Sequence, residues 1–173
     1  MSPQASADPE IKRYLRDLGS SNPDRVRAAR EALAALGAPA LEALIAVLQE
    51  EEDSLRWEAV KALRDLGDPR AASLFIRVLL EDPNPGVRWL AAEGLLRLDE
   101  TGLRALLEAL VHHSDSPWLR EGARHVLKAL AARGHRTELL PVLEAMDGLE
   151  PALTVPPAAQ RALDSIFGHG STA

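Results

Sequence analysis

One twelve-residue frame returns at Leu55, Val87 and Leu119, a spacing of 32 residues. It runs aliphatic, Arg, any, any, Ala, any, any, small, Leu, any, any, Leu. The first copy is carried by Leu55, Arg56, Ala59, Ala62, Leu63 and Leu66, and the others by the sets headed Val87-Arg88 and Leu119-Arg120. A fixed period of this length is the mark of stacked repeats, in which each unit buries its apolar face only against its neighbours. The apolar spacing within the frame is helical, and Ala and Leu dominate a composition that is 46% hydrophobic but 3% aromatic. Such residues favour helix and leave little for strands.

The punctuation between frames is regular. Asp8-Pro9-Glu10 reads as an N-cap, a first-turn proline and an acid that complements the helix dipole. Ser20-Ser21-Asn22-Pro23, Glu50-Glu51-Glu52-Asp53, Asp68-Pro69, Asp82-Pro83-Asn84-Pro85 and Ser114-Asp115-Ser116-Pro117 are breaks of the same kind, with Ser54 expected to cap the helix that follows it. Near the start, Ala29, Ala32 and Leu33 align with Ala59, Ala62 and Leu63, which puts Val26 where the frame has Arg. Near the end, Thr137 is expected to cap a helix. A loop over 147–154 then leads to Val155, Ala159, Ala162, Leu163 and Ile166, with Pro156 in place of the arginine. The expectation is an all-α, right-handed α–α superhelix of five helical pairs: residues 1–7 a disordered tail, 8–168 one solenoid domain, and 169–173 a tail.

The frame resembles the short HEAT-like repeats found in phycobilin lyases and in designed consensus HEAT-like scaffolds. Leu55-Arg56, Val87-Arg88 and Leu119-Arg120 with their following Ala and Leu positions carry the resemblance, together with the turn Asp68-Pro69-Arg70. It implies that the frame helices line a concave face, with the third, fourth and seventh frame positions turned toward whatever binds there. Carried over, those positions are Trp57, Glu58 and Lys61, then Trp89, Leu90 and Glu93, then Glu121, Gly122 and His125, with Trp118 just ahead of the last set. In the first repeat they are Arg27, Ala28 and Glu31.

Tryptophan offers a large contact area with little conformational freedom to lose. Trp57 and Trp89 share a frame position, so the expected site is an indole-lined strip binding a partner protein or peptide, with a second copy of the chain as another occupant. Arg56, Arg88 and Arg120 each follow an acidic turn containing Asp53, Asp82 or Asp115. Their guanidinium forks are expected to bond the turn carbonyls and carboxylates, a structural ladder from repeat to repeat.

Dedicated chemistry is hard to find. There is no cysteine, no phosphate loop, no Gly-x-Ser-x-Gly and no His-Glu pair of the kind used by di-iron enzymes on similar repeats. The adjacent His112 and His113 diverge on a helix, so no metal site and no cofactor are expected. A net charge of −6 argues against nucleic acid, which needs clustered Lys and Arg. The start lacks a basic and then apolar leader, and no run approaches the ~18 apolar residues of a membrane span. These features set the expectation of a cytoplasmic, non-enzymatic scaffold with no catalytic residues. A bilin lyase or bilin-holding chaperone, and a DNA glycosylase on HEAT-like repeats, are the alternatives by resemblance.

Overall fold

The computed structural model describes residues 8–168; the tails expected at 1–7 and 169–173 lie outside the described residues. Ten α-helices follow in order: α1 (Pro9–Leu18), α2 (Pro23–Leu36), α3 (Ala38–Val47), α4 (Asp53–Leu66), α5 (Ala72–Glu81), α6 (Pro85–Arg97), α7 (Glu100–His112), α8 (Pro117–Leu130), α9 (Arg136–Asp147) and α10 (Pro151–Phe167). A 3-10 turn, Pro69–Ala71, leads into α5, and a π turn, Ala131–His135, joins α8 to α9.

The starts are set by caps and prolines. Asp8, Asn22, Asn84 and Ser116 accept backbone N–H groups at the heads of α1, α2, α6 and α8, and each of those helices opens on proline. Proline is harmless there because the N–H it lacks would have had no intrahelical partner. The expected cap at Ser54 is not formed. The helix starts two residues earlier, at Asp53 behind Glu52, and the Ser54 hydroxyl donates to the Glu52 carboxylate instead.

The helices stack as a right-handed α–α superhelix. Within pairs, α1 packs on α2, α3 on α4, α5 on α6 and α7 on α8; along the frame row, α2 meets α4, α4 meets α6, and α6 meets α8. The frame Leu and Ala positions do the sealing. Leu33, Leu63, Leu95 and Leu127 are fully buried, as are Ala59, Ala91 and Ala123. Ala29 is buried beside them, so the first repeat follows the frame in spite of its missing arginine. At Gly102 the crossing is closest: a Cβ built there would lie 1.9 Å from the Leu95 carbonyl oxygen, so only glycine lets α7 fold back across the end of α6.

The fifth pair departs from the stack. The periodicity predicts its second helix in the frame row beside α8, but α10 packs along α7 and α9. It also starts earlier than the frame suggests, at Pro151, which leaves Pro156 and Pro157 inside the helix. Proline at 156 removes the N–H that would bond the Ala152 carbonyl. The Ser114 hydroxyl, 6% exposed in the turn between α7 and α8, the fourth turn within a pair, donates to that carbonyl at 3.1 Å. A polar side chain from the break before α8 thus repairs the helix that proline opens. Arg104 of α7 lies 4.0 Å from the Phe167 ring centre at the other end of the same crossing.

Candidate functional site

The third frame position holds Trp57 on α4, Trp89 on α6 and Glu121 on α8, yet the two indoles have different surroundings. The reason lies in the residue that opens the next helix. Trp57 lies over Gly86, where a Cβ would come within 2.5 Å of the ring, and this close fit leaves the indole half-buried. One repeat on, the place of Gly86 is taken by Trp118. Trp89 is not laid down in the same way and stands 51% exposed. Trp118 itself is 39% exposed and belongs to the first turn of α8.

Trp89 packs instead on the imidazole of His125, with ring centroids 4.1 Å apart. His125 Nε2 meets Glu93 Oε1 at 2.5 Å. The indole, the imidazole and the carboxylate therefore form one contiguous group bridging α6 and α8. Lys61, at the same frame position as Glu93 and His125, is half-buried and bonds Glu58 at 3.2 Å. Glu58 is also held by Arg30 of α2 at 2.9 Å, and Arg30 reaches Asp65 as well. The signal for this clasp, an arginine one repeat before two acids, was present in the sequence but hidden among many exposed ion pairs.

The fourth frame position does not face the open side. Leu90, expected there, is buried at 7% exposure, and Gly122 is buried against Leu79. The physical reason is that α6 has neighbours on several sides at once: α4, α5, α7 and α8. In the first repeat, where α2 has fewer neighbours, Arg27, Ala28 and Glu31 are all exposed. Glu121 is exposed too, and makes no hydrogen bond among the described residues.

The arginine column is built unevenly. Arg56 donates to the Glu50 and Glu51 carbonyls at 2.9 and 2.8 Å, to Asp53 at 2.5 Å, and through Nε and Nη2 to both oxygens of Asp82 in the next repeat. Asp82 raises the Arg56 guanidinium above its ordinary value. Asp53 is held below its ordinary value, first by the Asn84 side-chain amide at 2.8 Å and then by Arg56. Arg88 is also buried, at 8% exposure, but takes only the Asp82 and Pro83 carbonyls, both through Nη1. Asp82 is not its carboxylate partner, contrary to the expected pattern, because that carboxylate is turned back to Arg56. Arg88 lies instead 4.3 Å from the Trp118 ring centre, a cation–π contact. Arg120 bonds the Ser114 carbonyl and makes no ion pair with Asp115.

Two hollows adjoin the indoles. One of about 640 Å³ lies beside Trp57, between the ends of α1 and α4, with Val26, Glu58 and Asn84 in its wall. A second, of about 60 Å³, lies where Arg88, Trp89, Trp118 and Glu121 converge. A further hollow of about 370 Å³ lies beside Arg56 and Arg77, among four or more carboxylates and carbonyls, away from the indoles. No helix among the described residues is long and apolar enough to cross a membrane.

Comparison with known proteins gives two relatives with named roles. The bilin biosynthesis protein RpcF of Synechococcus sp. is 34% identical over 112 residues, 61% of this chain and 54% of that protein. The phycocyanobilin lyase subunit beta of Thermosynechococcus vestitus is 29% identical over an alignment of 184 positions, 96% of this chain and 86% of that protein. The chain spans about half the length of the first. Both names point to bilin chemistry, and one to an enzyme. They overturn the expectation of a non-enzymatic scaffold for a protein or peptide, which rested on the lack of any catalytic motif. A substrate that brings its own conjugated, reactive system asks the protein chiefly to hold and orient it, and leaves no such motif to find. The model for HEAT repeats matches over residues 11–96, 41–128 and 73–164, so that together the matches run through nearly all the described helices, and the chain belongs to the HEAT-repeat family.

Proposed function

We propose that this chain acts on a linear tetrapyrrole, as a bilin lyase subunit working with a second protein chain. The observation that carries this reading is the similarity to the phycocyanobilin lyase subunit along 96% of the sequence. The geometry is suited to it. A bilin is a flat, conjugated chain of pyrrole rings, and Trp89 gives it an exposed aromatic face. Beside that face, Glu93 and His125 place an acceptor and a proton-carrying ring where pyrrole N–H groups would lie. An imidazole ring can both donate and accept a proton, so His125 is the residue we assign to proton movement on the bilin, with Glu93 fixing its ring. Trp57 and Glu58 border the larger hollow, with Lys61 bonded to Glu58, and would extend the surface toward α2. This chain holds no cysteine, so any thiol that joins the bilin must come from a partner.

The test is an absorption titration with phycocyanobilin. Binding to a defined surface should shift and sharpen the visible band, and Trp89→Ala should weaken the complex by about tenfold or more, the usual effect of deleting a stacked aromatic anchor. His125→Gln should leave binding nearly intact but slow transfer of the bilin to a thiol-bearing acceptor. A spectrum that does not change on mixing, with or without a partner chain, removes the reading.

A further inference from the structure

Arg88 is a buried guanidinium with no carboxylate. Its Nη1 is used by two carbonyls, while Nε and Nη2 make no hydrogen bond among the described residues. The frame shows what is missing. Arg56 directs those same two nitrogens at Asp82, and the residue one period beyond Asp82 is Ser114. Ser114 is committed elsewhere, to the Ala152 carbonyl that Pro156 leaves unbonded. The fourth turn therefore cannot carry the acid that would complete the Arg88 rung. Those two nitrogens are not sealed from solvent, unlike Arg77 Nη2, so an anion can reach them, and a guanidinium this far desolvated gains from one.

The hollow at Arg88 is open to such an anion. It is walled by Leu79, Pro85, Trp89 and Trp118, with Glu121 at its edge. Pro85 and Trp118 belong to the first turns of α6 and α8, so two helix N-termini also add positive potential. About 60 Å³ admits a carboxylate on a short stem and little more. The rest of the ligand would lie outside, against the exposed face of Trp89. Glu121 opposes the anion, but it is exposed and can turn to solvent.

We propose that this hollow is a carboxylate-binding subsite, in which Arg88 takes the acid group of a ligand whose flat unsaturated body rests on Trp89. The subsite stands on Arg88 and its surroundings alone; that the acid group is a bilin side chain rests on the reading above.

The experiment follows the Arg88 Nε–H signal in a nitrogen–proton correlation spectrum, assigned by its loss in Arg88→Lys. Wild type is titrated with sodium propionate and with propionamide, then with phycocyanobilin and its dimethyl ester. The expected result is a saturable shift with propionate and none with propionamide. Glu121→Gln should tighten propionate several-fold by removing the opposing charge, and Arg88→Gln should weaken it by about tenfold or more. Phycocyanobilin should bind better than its diester. No saturable shift, an equal shift with propionamide, or no effect of Glu121→Gln overturns the subsite; since the first two use unaltered protein, misfolding of a variant cannot obscure them. Propionate binding without phycocyanobilin binding keeps the subsite and removes the bilin reading. Equal binding of bilin and diester, with Arg88 unmoved, does the reverse.

Discussion

Arg56 and Arg88 show how one residue type at one frame position does two jobs. Removing Arg56 strands the Asp82 carboxylate, 6% exposed, with the backbone N–H of Asn84 as its remaining partner. Loss of one member of a buried pair costs about 3–5 kcal/mol. Removing Arg88 strands no acid and gives up two carbonyl bonds and an indole contact, a loss of about 1–3 kcal/mol. Urea denaturation of Arg56→Ala and Arg88→Ala should therefore separate the two clearly, with Arg56→Ala the weaker protein. Equal losses would show that the uneven wiring has no energetic meaning. The tryptophans carry the same lesson. Their shared position was plain in the sequence, but which one stays exposed depends on Gly86 and Trp118, residues belonging to the following helix.

At the scale of the helix, the joint between α4 and α6 rests on Asp53 and Asn84, 31 residues apart. The folded state holds Asp53 below its usual value of 3.8, so it binds that proton less readily than the unfolded chain does. Its contribution is complete above the ordinary aspartate range and disappears as pH falls through the lowered folded value. Asp53→Asn should be less stable than wild type at neutral pH and should converge with it in strong acid. Thermal melts across that range check the sign; a gap that widens on acidification would contradict it. Apolar stripes and most helix starts were legible from caps, prolines and the 32-residue spacing, but Ser54 and Thr137 lie inside their helices instead of capping them, and α10 begins within the expected loop. The burial of Leu90 was not, since a frame describes one helix and cannot count how many neighbours surround α6.

For the molecule as a whole, α10 is the element that the periodicity misplaces. Its Val155, Ala159 and Ala162 are buried as the frame requires, yet the surface they meet includes α7. That choice is set partly by Pro156, which frees the Ala152 carbonyl, and partly outside α10, by the π turn after α8 and by Ser114. A chain ending at residue 150 should expose the flank of α7. We expect it to bind an apolar dye in the native state and to melt earlier than the full chain. An unchanged melt without dye binding would mean that α10 is an ornament.

The turned-back last helix also has a bearing on how such a protein can have grown. Solenoids lengthen when a segment of the gene is copied and the new unit docks on the old terminus. Here the place beside α7 that the row order of the earlier pairs would give to α9 is taken by α10, so a copy of this fifth pair would not reproduce the register of the others. Duplications that keep the register should therefore be copies of the first four pairs.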